Sequence, residues 1–214
     1  MPLHAVTEMS QMMTRTLTAI AIGLIVSVGY QAAAEEIQLF NGTNLDGWEI
    51  INNGQFSVEE GVLKIDRGTG WLRSNDTFAD FVLTMEFRFL EDGANSGIFI
   101  RTGPTSADDE NGWPNNGYQV QCMDTLTDTP LAHLIPYGAP PFDHQSDIEA
   151  LKRAYKPAGE WHTYEIKADG ERLWVSLNGE LITTATSIKN LRGHIGIQGE
   201  LGLLEFRKIS IEPL

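Results

Sequence analysis

Short runs of alternating apolar and polar residues, separated by Gly, Asn and Asp, recur along most of this chain. They fall at residues 56–58, 62–65, 81–89, 97–101, 118–123, 161–168, 172–177, 193–198 and 203–211. Alternation at period two puts one side of a segment in a core and the other outside, which specifies half-buried β-strands. Asp169-Gly170 and Asn178-Gly179 are hairpin signals, because Gly accepts the positive φ that a two-residue turn requires. They predict a meander of residues 164–167, 173–177 and 181–184. Many short strands with turns between them predict an all-β fold, an antiparallel sandwich.

The N-terminus reads differently. Arg15, the apolar run 17–28 and Ala32-Ala33-Ala34 before Glu35 form the pattern of a secretory signal peptide over residues 1–34. The run is short for a membrane span, so no stable membrane insertion is expected after cleavage, and the protein is expected to be secreted or periplasmic. Residues 35–214 then form a single domain with enough chain for a real core. The net charge is −14, and loss of the leader removes one acid (Glu8) and one base (Arg15), leaving it unchanged. Such acidity argues against nucleic acid as a partner. Cys122 is the only cysteine, which excludes an intrachain disulfide; its place on the apolar side of a run suits a small buried hydrophobe.

Two stretches break the strand pattern. Residues 102–116 are polar and contain Trp113-Pro114; residues 125–157 contain four prolines before 142 and one short helical turn near 148–153. Both carry aromatic or His side chains (Trp113, His133, Tyr137, Phe142, His144), so they are expected to cover a sheet as functional loops. Within the strands, alternation gives Gln119 and Gln121 a common side, opposite Tyr118, Val120 and Cys122. Pooling the outward residues of several strands gives Glu86, Arg88, Phe99, Arg101, Gln119, Gln121 and Trp174. Planar polar groups for hydroxyls and rings to stack on a sugar face suit a carbohydrate ligand. The alternative is a solvated face with charges paired across strands.

Nine segments in order carry a resemblance. They are LFNGTNLDGW (39–48), GVLKI (61–65), DFVLTMEFRF (80–89), NSGIFIR (95–101), GYQVQCMD (117–124), KPAGEWHTYEI (156–166), LNGELI (177–182), GHIGIQ (193–198) and LEFRKISIEPL (204–214). Together they resemble the 3-keto-disaccharide hydrolase domain family. The resemblance implies a jelly-roll sandwich of the concanavalin A-like lectin and glucanase type with a concave sugar-binding face. It also implies an exported enzyme that cleaves 3-keto-disaccharides or related glycosides. A ketone at C3 acidifies the C2 proton, so the glycosidic bond can break by elimination followed by hydration, with a base, an acid and an electrophile. Gln119 stands where the family favours an acid, and an amide cannot act as a base. A non-catalytic carbohydrate-binding module of the same fold is therefore the alternative reading.

The candidate catalytic residues are Asp124 as acid or base, Arg101 for a ketone or enolate oxygen, and Glu86 as a substitute base. Their alternatives are turn capping for Asp124 and ion pairs for Arg101 and Glu86. The candidate substrate-binding residues are Gln119, Gln121, Asn95, Trp113, Tyr137, Trp174, His133 and Lys156. No cofactor is expected, and no metal: the spacing of His133 and His144 matches no compact ligand motif, and a Pro-rich loop is a poor cage. No nucleophile elbow surrounds any serine, and the paired acids of glucanases do not occur.

Overall fold

The computed structural model describes residues 35–214, so the leader expected over residues 1–34 lies outside the described residues. Fifteen strands and one helix follow in order. They are β1 (Ile37–Gln38), β2 (Trp48–Asn52), β3 (Gln55–Glu59), β4 (Val62–Arg67), β5 (Gly70–Phe78), β6 (Phe81–Phe89), β7 (Asn95–Thr102) and β8 (Gly117–Met123). Next come β9 (Leu134–Tyr137), β10 (Asp143–Ser146), α1 (Ile148–Ala154), β11 (His162–Asp169), β12 (Arg172–Leu177), β13 (Glu180–Thr186), β14 (Gly193–Gly199) and β15 (Leu204–Pro213). One sheet has nine strands, in the order β10-β13-β12-β11-β6-β15-β4-β3 with β1 on β15; the other has six, β2-β5-β14-β7-β8-β9. Every strand pair is antiparallel. The fold is the antiparallel jelly-roll sandwich expected.

Local sequence explains the elements. In β6 the pattern Phe-Val-Leu-Thr-Met-Glu-Phe-Arg-Phe alternates buried and half-buried without a break. The β12–β13 turn places Asn178 at φ 50° and Gly179 at φ 84° between the paired Leu177 and Glu180, the geometry that an Asn-Gly turn supplies. Helix α1 is capped by Asp147, whose carboxylate accepts the Ala150 N–H at 2.9 Å. Between the sheets lie Leu83, Met85, Phe87 and Phe89 of β6, and Ile98, Ile100, Tyr118, Val120 and Cys122 of β7 and β8, all fully buried. Each such aliphatic or aromatic side chain contributes about 1.5–3 kcal/mol. The stretch 125–157 is less irregular than its prolines suggest, because β9 and β10 pair with β8 and β13 within it.

His162 belongs to this core. Its ring stacks on Phe87 at 5.1 Å, and its Nε2 accepts the Lys156 N–H at 3.0 Å. Burial holds the imidazole down at about 4, so the folded protein keeps it neutral. The stabilising preference is complete above the ordinary value of about 6.5 and is lost as pH falls towards 4. His162→Gln should therefore remove much of a loss of about 3 kcal/mol between pH 6.5 and 4, read from denaturant unfolding at several pH values. Parallel pH profiles for the two proteins would contradict this.

Candidate functional site

The outer side of the six-stranded sheet carries polar side chains that water does not reach. Gln119, Gln121 and Gln198 are 1, 5 and 1% exposed, and beside them Trp71 and Phe99 are fully covered although they point away from the sandwich core. Two glycines make this layer possible. A Cβ on Gly97 would sit 2.3 Å from the Gln119 side chain, and one on Gly196 would sit 2.6 Å from the Trp71 ring. The large side chains thus lie flat across the strands where their neighbours have none. Gly97→Ala should displace Gln119 and weaken ligand binding about tenfold, with a stability loss of about 1–3 kcal/mol from overpacking. Unchanged affinity in that variant would detach Gln119 from the ligand site.

A roof covers the layer. The loop of residues 103–116 is tied down by Asn52, which donates to Ser106 Oγ (3.1 Å) and to the Gly112 carbonyl, and by Trp71 Nε1, which donates to Ser106 Oγ (3.1 Å). Trp113 Nε1 donates to the Gly199 carbonyl at 3.2 Å. The Tyr137 ring meets Phe99 edge-on at 5.5 Å and Trp113 at 5.9 Å. These contacts form an aromatic wall over an amide floor.

The floor contains an incomplete hydrogen-bond network. Gln119 Nε2 donates to Gln121 Oε1 at 2.7 Å, and Gln121 Nε2 continues to the Met123 sulfur at 3.9 Å. Three buried amide oxygens, Asn95 Oδ1, Gln119 Oε1 and Gln198 Oε1, have no partner among the described residues, although the other end of the Gln198 amide meets the Tyr137 hydroxyl. Leaving a buried acceptor unpaired costs about 1–3 kcal/mol, and all three oxygens are closed to solvent beneath the roof, so an O–H donor reaches them only when the roof opens.

At the end of this face stands Glu200. Its Oε2 accepts from Asn95 Nδ2 at 2.6 Å, and burial pushes its carboxyl above the ordinary carboxylate value. The Tyr137 hydroxyl is pushed up to about 12, first by burial and then by the charge of Glu200. A cavity of about 310 Å³ opens beside Glu200, lined also by Asp66, Gly68, Glu91, Leu201, Gly202 and Leu203. A poised carboxyl, a neutral phenol and unpaired amides form a set able to hold a polyol and move a proton.

The profile of the 3-keto-alpha-glucoside-1,2-lyase-like domain matches residues 35–212. This chain belongs to that family. Among solved structures, this chain is similar to a Parabacteroides distasonis protein described as a candidate glycosyl hydrolase. The two are 24% identical, with a TM-score of 0.61 over 84% of this chain and 100% of that one. It is also similar to a carbohydrate-binding module from Bacillus subtilis (14%, TM-score 0.52, 78% and 95% covered). A third similar structure is the Bacillus licheniformis beta-glucanase (14%, TM-score 0.51, 86% and 99% covered). At these identities the likeness is one of fold. The sequence matches no curated protein.

Of the residues singled out from the sequence, the fold brings Asn95, Gln119, Gln121, Trp113 and Tyr137 together on this face. It does not bring the others there. Glu86 lies on β6 of the nine-stranded sheet, on the opposite outer face, where it pairs with Arg207 and Lys208, both at 2.6 Å. Trp174 is on that same far sheet, under the Lys167 ammonium at 5.5 Å. Lys156 donates to the Trp161 carbonyl at 2.8 Å and lines a groove with Thr84, Thr163 and Ser176 of the far face. The pooled outward set therefore belongs to two faces, because alternation assigns a side within a strand but not the sheet to which the strand belongs.

Arg101 and Asp124 also leave the face. At Arg101 φ turns to 49°, which breaks the alternation of β7. Its fully buried guanidinium donates to the Ala79 (2.9 Å) and Gly170 (2.7 Å) carbonyls and to Asp80 (2.9 Å). Asp124 accepts the Gly93 N–H at 3.0 Å and the Tyr155 hydroxyl at 2.7 Å, so it ties two distant segments to the end of β8 and does not cap its own turn. His133 packs against His144 at the edge of the sandwich. Its imidazole is held below the ordinary value by burial first and by His144 second. Among the described residues, no group of three or more His, Cys, Asp or Glu is placed to hold a metal.

Sequence reading missed Glu200, Gln198 and Trp71. Gln198 sits in the alternating run 193–198, opposite the apolar Ile195 and Ile197, so its side was available from the pattern. Glu200 follows the strand in a loop, where periodicity assigns nothing.

Proposed function

We propose that this protein is an exported enzyme that cleaves 3-keto-glycosides by elimination on the outer face of its six-stranded sheet. The observation that carries the reading is the Glu200 carboxyl, held by Asn95 at 2.6 Å and desolvated, beside three unpaired amide oxygens. Membership of a lyase-like family supports it. Residues 1–34 would act as the export signal, so N-terminal sequencing of secreted protein should begin near Glu35.

In this reading the loop of residues 103–116 lifts to admit the sugar, the amide oxygens of Gln119, Gln198 and Asn95 then accept its hydroxyls, and Trp113 and Tyr137 cover the ring. Ionised Glu200 takes the C2 proton, which the neighbouring C3 ketone makes acidic. The C2–H electron pair forms the C1=C2 bond, the C1–O bond breaks, and the leaving oxygen takes up a proton to depart as an alcohol. Tyr137, neutral with a hydroxyl at about 12, donates a hydrogen bond to the oxygen on which negative charge develops. A raised carboxyl is a stronger base than an ordinary one, which suits this step. Addition of water across the double bond completes a net hydrolysis.

A non-catalytic carbohydrate-binding module is the second reading. The paired amides Gln119 and Gln121, in the middle of the floor, favour it, since neither can take a proton. Incubation with a 3-keto-disaccharide and with its unoxidised parent, followed by product analysis and calorimetric binding, separates the two. Cleavage of the keto sugar alone is the expected result. Binding of either sugar with no cleavage of either would leave the module.

A further inference from the structure

We propose that His133 and His144 form a two-histidine binding site for a late first-row divalent cation, Zn²⁺, Ni²⁺ or Cu²⁺, that ties the edge of one sheet to the edge of the other. The site is separate from the amide floor and from the function proposed for it. In sequence the two histidines are separated by a Pro-rich stretch, which by itself promises no preorganisation. The fold supplies it. His133 directly precedes β9, the edge strand of the six-stranded sheet; its N–H donates to the Pro130 carbonyl at 2.9 Å, and its carbonyl accepts the Gln121 N–H at 2.8 Å. His144 lies in β10, the edge strand of the nine-stranded sheet, directly opposite Ala185. Ala185 belongs to the core, and its cross-strand neighbour His144, although solvent-exposed, shares that side of the edge strand and meets the His133 ring.

The ring spacing is compatible with chelation. The imidazole centroids are 5.0 Å apart with planes at 77°, and Phe142, 5.4 Å from His144 and 5.4 Å from Tyr118, backs the pair. Two imidazoles that share one ion at about 2.0–2.1 Å in a tetrahedral arrangement have centroids roughly 5 Å apart. Neither ring makes a hydrogen bond among the described residues, while both line one cavity of about 280 Å³ with Leu134, Pro136 and Pro141. Imidazole donors select late first-row ions; Mg²⁺ and Ca²⁺ take oxygen ligands. With two protein ligands, water completes the coordination. A bound ion would fix residues 133–144 against both sheets, at the end of the chain segment that leaves the floor strand β8.

The test uses the full chain without a histidine tag, titrated by calorimetry with ZnCl₂, NiCl₂ and MgCl₂. One equivalent of Zn²⁺ or Ni²⁺ should bind, and Mg²⁺ should not. His133→Gln and His144→Gln should each weaken binding at least tenfold, while His194→Gln, whose ring faces the Ser74 carbonyl at 2.8 Å, should leave it unchanged. At a hundredfold excess over Kd the ion should raise Tm by about 5 °C or more. With Cu²⁺, electron paramagnetic resonance should show two nitrogen donors in the parent and one in each single variant, a readout that a merely destabilised variant does not reproduce. Absence of binding, binding that survives the double variant, an equal response to Mg²⁺, or a nitrogen count unchanged by either substitution would each overturn the site.

Discussion

Replacing Glu200 with Gln should lower turnover of a 3-keto-disaccharide by about 10²–10⁴-fold, the range typical of a lost general base. Gln keeps the size of the side chain and can still meet Asn95, now amide to amide, so the 2.6 Å contact changes in strength more than in place. Ligand affinity should stay within a few-fold, because the unpaired acceptors of Asn95, Gln119 and Gln198 are untouched. The pH profile carries a second signature. Since burial raises the Glu200 carboxyl, the ionised base is lost at higher pH than for an ordinary carboxylate. Activity should therefore fall on the acid side from a point above the usual Glu range, and the residual activity of Glu200→Gln should lack that limb. Full turnover in the variant would remove Glu200 from the chemistry, whatever its place in the cleft.

The second large effect is on stability. Arg101→Ala should destabilise the domain by about 3–5 kcal/mol and lower Tm by about 10 °C. The guanidinium is fully buried and donates to carbonyls in three connections: Ala79 between β5 and β6, Gly170 between β11 and β12, and, at 3.3 Å, Asn190 between β13 and β14. Removal strands those acceptors and opens a void the size of a large side chain. Asp80 also accepts the Gly170 N–H at 2.9 Å and is 41% exposed on its side chain, so it is the smaller part of the loss. Differential scanning calorimetry measures the effect, and a loss below about 1 kcal/mol would contradict it. Below its melting transition the variant should bind ligand like the parent, which a substrate-holding arginine could not do.

The strands legible in the sequence were those with a clean period of two. The expected run at 81–89 is β6 residue for residue, and the Asp-Gly and Asn-Gly turns place β11, β12 and β13 as a meander. Strands without that pattern escaped. β5 runs through Ser-Asn-Asp-Thr before its final Phe78, and the exposed Asn, Asp and Thr imitate a loop, although its first half carries the buried Trp71. β9 and β10 are four residues each, with Pro136 in one and Asp143-His144-Gln145-Ser146 in the other. Such edge strands are held by cross-strand pairing that no local propensity announces.

For the site, the same division holds. Gln119 and Gln121 share a face because consecutive side chains alternate, and nothing in the tertiary structure was needed to say so. Sequence alone therefore determined the sandwich class, the amide pair and the family. Only the tertiary structure decided which strands stand side by side. It sent Glu86 and Trp174 to the far sheet, turned Arg101 into a buried clamp, and brought Glu200, Gln198 and Trp71 from distant segments onto the amide floor. The physical reason is that alternation is a property of one strand and is set locally. Sheet membership and strand order are set by long-range pairing and burial, which depend on the whole chain at once.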